Sequence, residues 1–175
     1  LIDQMNKQFD QLKIKKTEIN YNENGKEDKK KYIGEVLNGR PNGKGIMYWN
    51  DGEKHEGEWK NGKADGKGIR YFGDGNKYKG DFKDGKFEGK GIVYFPDGES
   101  YEGDFRDNKA EGKGIFYYKN GDRYEGDLKN GKMEGKGIYY YKNGDIYEGD
   151  YKNDEKEGRG IYYFNNGDRE MGNYC

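Results

Sequence analysis

Cysteine, histidine and long apolar runs are nearly absent from this chain of 175 residues. The one cysteine, Cys175, is the last residue, which excludes a disulfide framework within the chain. The one histidine, His55, has no positioned partner in the sequence pattern and reads as a packed or surface ring rather than a general base. Cys175 has no phased histidine either, so a nucleophile–base pair has no support. No apolar run approaches the roughly 20 residues that span a bilayer as a helix, and no apolar signal-peptide segment is found. Charge of one sign is lacking too. The net charge of −1 gives no general pull toward nucleic acid or an anionic membrane. Because the first residue is Leu1, the chain reads as a piece of a longer polypeptide, expected in the cytoplasm.

Apolar residues are also scarce, at 30% against 38% charged, which by itself suggests disorder. What is present argues otherwise. Aromatic residues reach 16%, including 18 Tyr, and the glycines are phased. Gly34, Gly57, Gly80, Gly103, Gly126, Gly149 and Gly172 are each 23 residues apart. Three further sets start at Gly43, Gly45 and Gly52 and keep the same period. A weaker set contains Gly39, Gly62, Gly85 and Gly131, with Asn108 and Asp154 in two repeats. Only Gly25 and Gly73 fall outside, so the chain is a repeat array.

Each repeat holds two aromatic-rich runs of strand character, typified by Tyr124–Lys129 and Gly135–Tyr141. Asn130-Gly131 separates these runs, and Asn143-Gly144 separates repeats; both pairs tolerate positive φ and signal turns. The expected fold is all-β. It is a single elongated, twisted antiparallel sheet of tandem hairpins, about 10 Å per repeat and about 60 Å for six. Alternation puts Tyr124, Gly126 and Leu128 on one face, with Glu125, Asp127 and Lys129 on the other. The glycines leave flat space for neighbouring rings, so aromatic ladders are expected along the array.

The motif Tyr101-Glu-Gly-Asp-Phe105 with Gly112-Lys-Gly-Ile115 resembles the MORN repeat (membrane occupation and recognition nexus). Tyr147-Glu-Gly-Asp-Tyr151 with Gly158-Arg-Gly-Ile161 is a second instance. The resemblance covers about residues 32–174, six full repeats and the start of a seventh. His55 departs from the opening Tyr, and Lys79 stands where Glu is usual. What the resemblance implies is a non-catalytic scaffold, found in axonemal radial spokes, protist cytoskeletons, membrane tethers, or beside lipid kinase and methyltransferase domains.

Three segments are expected: a short amphipathic helix over 1–16, a decayed repeat strand with a basic loop over 17–31, and the array over 32–175. Leu1, Met5, Phe9 and Leu12 recur at helical spacing, fitting either a cap on the first hairpin or the end of a partner-binding helix. Lys29, Lys30 and Lys31 are the candidate contact for an anionic partner such as phospholipid or a tubulin tail; a plain solvated loop is the alternative.

No catalytic residue, metal site, cofactor or small-molecule substrate is expected, and no nucleic-acid partner. The Gly-x-Gly pairs recur inside strands without a following helix, unlike a phosphate loop. Carboxylates one repeat apart are too distant to share an ion, and pairing of Asp81, Asp104, Asp127 and Asp150 with the ladder Lys44, Lys67, Lys90, Lys113 and Lys136 is simpler. The aromatic face, represented by Trp49, Phe72, Phe95, Tyr118, Tyr141 and Phe164, is the expected binding surface for partner helices or peptides. The alternative is that these rings form only the array's own core. The expected role is a scaffold in a motile cilium or cortical cytoskeleton, holding other proteins of a large assembly. A phosphoinositide-binding adaptor and a regulatory segment of a larger enzyme are the alternatives.

Overall fold

The computed structural model describes residues 15–22 and 29–174, all of it strand and turn. The helix expected over 1–16 falls outside these residues except for Lys15 and Lys16, which already belong to the first strand. The strands follow one another in chain order as an open 14-stranded antiparallel sheet. The chain divides into two compact units, residues 1–86 and 87–175. The first carries β1 (Lys15–Asn22), β2 (Lys29–Leu37), β3 (Arg40–Tyr48), β4 (Lys54–Lys60), β5 (Lys63–Tyr71) and β6 (Lys77–Lys83). From the boundary onward run β7 (Lys86–Tyr94), β8 (Ser100–Arg106), β9 (Lys109–Tyr117), β10 (Arg123–Lys129), β11 (Lys132–Tyr140), β12 (Ile146–Lys152), β13 (Glu155–Tyr163) and β14 (Arg169–Tyr174).

Two kinds of turn alternate. Within a repeat, two residues join the strands, and both take positive φ: 52° at Asn130 and 80° at Gly131. That is the hairpin turn whose twist matches the strands. Asp107-Asn108 and Asn153-Asp154 adopt the same conformation without glycine, since short polar side chains tolerate it. Between repeats only the glycine is left-handed. Tyr141 N–H donates to Asp145 C=O at 2.9 Å, and Asp145 N–H donates to the Asn143 side-chain oxygen at 3.0 Å. From the Asn61-Gly62 turn onward, each hairpin turn is also tied back one repeat. Gly131 N–H donates to Ala110 C=O (2.9 Å), and Asn130 N–H donates to the Glu111 carboxylate (2.9 Å).

In this single layer the core lies on one face of the sheet. Tyr124 is fully buried, on the floor provided by Gly126 and Gly137, which face each other across β10 and β11. A Cβ at Gly137 would land on the Tyr124 ring. The Tyr124 hydroxyl donates to Asp127 C=O at 2.9 Å, and Tyr32, Tyr78 and Tyr101 make the same bond three residues ahead. Burying such a ring contributes about 2–3 kcal/mol, and its hydroxyl is satisfied. A second column of buried residues stands edge-on to the first: Phe82 against Tyr78 (5.1 Å) in the first unit, Tyr151 against Tyr124 (5.1 Å) in the second. His55 takes the tyrosine position in its repeat. It is 1% exposed, edge-on to Trp59 and Phe82, with neither ring nitrogen hydrogen-bonded.

The basic run at the start is not all loop. Lys29–Lys31 open β2, paired with Asn22, Tyr21 and Asn20. Ladder pairing with the eight-residue β1 draws them into the sheet, and Lys31 forms an ion pair with Glu18 at 3.1 Å.

Candidate functional site

On the core face, beside the tyrosine column, the second unit carries a continuous band of rings. Phe95, Phe116, Tyr118, Tyr139, Tyr141, Tyr162 and Phe164 follow one another with centroid separations of 5.8, 4.6, 5.5, 4.7, 5.5 and 4.8 Å. Their planes are tilted by 30° to 49°. Register explains the band. Phe116 lies across from both Tyr101 and Tyr124, so it shares their face, and Tyr118 is two residues further on that same side. Every ring is partly exposed, and Phe164 reaches 38%. Of the six rings expected to bind partners, Phe95, Tyr118, Tyr141 and Phe164 lie together here, while three of the seven rings in the band are residues the phase did not single out: Phe116, Tyr139 and Tyr162.

A row of carboxylates runs along the tips of these rings. Tyr139 and Tyr162 hydroxyls donate to Asp122 and Asp145, each at 3.0 Å. Glu99 and Asp168 hold the corresponding positions in the neighbouring repeats. Each acid is fixed by neutral donors: Asp122 by the Lys142 amide and Asn120, Asp145 by the Asn165 amide and Asn143. None of the four forms an ion pair among the described residues. Burial works to raise the pKa of Asp122, but these hydrogen bonds outweigh it and hold the carboxyl below its usual range. Asp145 is lowered by the Asn165 and Asn143 bonds. Burial, with the nearby carboxylates Asp154, Glu99 and Asp122, pushes Tyr118 up to about 12. The band is thus aromatic and negatively polarised.

In the first unit the same positions are filled differently. Trp49 and Phe72 flank Arg70, whose guanidinium lies 3.8 Å over Trp49 and 5.7 Å from Phe72. Arg70 pairs with Glu53, the acid that corresponds to Asp122. The ladder lysines look elsewhere. Lys67, Lys90, Lys113 and Lys136 pair with Asp81, Asp104, Asp127 and Asp150 on the opposite face. That face also exposes Tyr94 (36%) and Tyr117 (40%). Among the described residues no group of three or more His, Cys, Asp or Glu is placed to hold a metal ion, and no helix is long and apolar enough to cross a membrane.

A family model for the MORN repeat matches six consecutive segments: 32–54, 55–77, 78–100, 101–123, 124–146 and 147–169. The chain belongs to the MORN-repeat family. MORN arrays are non-catalytic repeat modules of protein-interaction or membrane-binding type, and the aromatic band is built from core-face positions of four successive repeats. Curated protein sequences give no significant match. Solved structures do. The SAS-4 (dCPAP) TCP domain of Drosophila melanogaster, in complex with a proline-rich motif of Ana2 (dSTIL), superposes with a TM-score of 0.53 at 16% identity, covering 91% of this MORN chain and 90% of that one. The TCP10 domain of Danio rerio CPAP, in complex with a STIL peptide, gives 0.53 at 14% identity, covering 89% and 74%. At such identities the likeness is one of fold.

Proposed function

We propose that this chain is a non-catalytic scaffold that holds segments of other proteins along its aromatic face, within a motile cilium axoneme or a cortical cytoskeleton. The observation that carries the reading is the unbroken band from Phe95 to Phe164, whose rings touch one another yet stay open to solvent. Partly exposed aromatics make strong anchors, because they bury large area with few rotatable bonds. Trp49 and Phe72 are the corresponding rings of the first unit, on either side of Arg70. The TCP domains with a similar sheet were each solved with a peptide bound, which supports a protein partner here.

The test is capture from detergent-extracted axonemes or cytoskeletons with the intact chain and with a Phe95→Ala/Tyr118→Ala/Tyr141→Ala variant. Specific partners retained by the first and lost by the second are expected. Capture that is equal for both would remove the band from the binding role. The pairing of the lysine ladder with aspartates weighs against a phosphoinositide adaptor, since those charges are compensated within the sheet. Salt-sensitive co-sedimentation with anionic vesicles would favour the lipid reading instead.

A further inference from the structure

The band and its acids define a ruler. One repeat advances the sheet by two strands, about 9.6 Å. A polyproline II helix turns once in three residues and advances about 9.3 Å. Over the three repeats from Phe95 to Phe164 the two stay in step to within about 1 Å. An α-helix repeats a face every seven residues, about 10.5 Å, and drifts by nearly 3 Å over the same span (roughly 0.9 Å per repeat). A β-strand returns to one face every two residues, about 6.8 Å, and falls in step with no repeat over that span. Only the first conformation offers an equivalent side chain to every repeat.

Charge selects further. Glu99, Asp122 and Asp145 stand once per repeat beside the rings, Asp168 holds the same position in the last repeat, and none of the four forms an ion pair among the described residues. The first unit shows how such a position takes a cation: Arg70 lies over Trp49 while pairing with Glu53. Among the described residues, Lys156 is the cation that reaches the band in the second unit. It approaches from the Tyr147 side (4.1 Å) and bonds the Tyr141 hydroxyl, leaving the acids unpaired.

Resting on the docking reading above, we propose that the second unit binds a basic, proline-rich segment in the polyproline II conformation. It lies across the strands at three residues per repeat, prolines against the rings and an Arg or Lys every third residue facing the acidic row. Such a segment is pre-ordered, so little conformational entropy is lost on docking.

The experiment titrates the intact chain with four fluorescein-labelled twelve-residue peptides, followed by polarisation and by amide chemical-shift mapping. The first is (Pro-Pro-Arg) repeated four times. The second has Glu for Arg, the third has the first's composition with its Arg residues bunched, and the fourth is an alanine-based helix with four Arg. The first peptide is expected to bind at least tenfold tighter than any other and to shift the amides of Phe95, Tyr118 and Tyr141. A Glu99→Gln/Asp168→Asn variant is expected to lose about tenfold and to show a weaker salt dependence. Equal binding of the bunched peptide, shifts confined to the Tyr94 and Tyr117 face, or no binding at all would each overturn the proposal, whatever the variant does. If the helical peptide wins on the band, this inference falls while the docking reading stands. If partner capture also survives the triple alanine variant, both fall.

Discussion

Replacing His55 by tyrosine should stabilise the first unit and remove a specific acid sensitivity. His55 is buried in the aromatic core with both ring nitrogens unpartnered. Burial, with a smaller contribution from the Arg70 charge, lowers its pKa from 6.5 to about 4. The folded pKa lies below the unfolded one, so the folded state resists the proton. The contribution to stability is complete above pH 6.5 and is lost as the pH falls from there toward 4. Between pH 7 and pH 5 linkage gives a loss of about 2 kcal/mol. Tyrosine at this position has a floor ready in Gly57 and Gly68. Its hydroxyl would find Glu58 C=O, as Tyr32 finds Glu35 C=O, for about 1 kcal/mol more. The assay is urea unfolding of wild type and H55Y at pH 7 and pH 5, with unfolding of the first unit read by fluorescence of Trp49 and Trp59. Titrating carboxylates contribute equally to both proteins and cancel in the difference. The chain has one histidine, so its Hε1 resonance also reports the pKa without assignment. A midpoint near 6.5, or parallel pH slopes for the two proteins, would refute the account.

Other substitutions separate the roles of the glycines and rings. Gly137→Ala should cost about 2–3 kcal/mol, because the methyl group collides with the Tyr124 ring. Gly131→Asn should stay within about 0.5 kcal/mol of wild type, since Asn108 holds the same turn position at φ 68°; thermal unfolding checks both. Tyr151→Phe should raise stability by about 1 kcal/mol, because its buried hydroxyl has no hydrogen-bond partner. Alkaline titration should show a buried class of tyrosines: burial pushes Tyr101 and Tyr147 up to about 12. With folded pKa values raised, stability is whole below pH 10 and falls above it. Absorbance at 295 nm should therefore rise with unfolding rather than ahead of it.

Much of this molecule could be read from periodicity, and the misses follow from the same source. Phased glycines reveal turns and floors because those positions admit few side chains, as at Gly137 beneath Tyr124. Hence strand order and the alternation through Tyr124, Gly126 and Leu128 were legible. Periodicity is blind to positions that vary. The second rung of the band is Phe116, Tyr139 and Tyr162 in one unit but Met47 and Arg70 in the other, so no repeated letter marks it. Nor did composition indicate what the acids do. Nothing in the pattern singles out Glu111 or Asp122, yet each accepts a backbone amide from the following repeat. The start of β1 at Lys15, and the pairing of Lys29–Lys31 in β2, depend on a partner strand that local propensity does not reveal.

The hairpin turns reach back one repeat, from Gly131 to Ala110 and from Asn130 to Glu111. Every such tether therefore spans a fixed sequence interval and asks nothing of more distant neighbours. Gene duplication or loss of one 23-residue block leaves each surviving tether its correct partner. Evolution can lengthen or shorten such a protein in whole-repeat steps without redesigning a core, and the span offered to a partner then changes by integers.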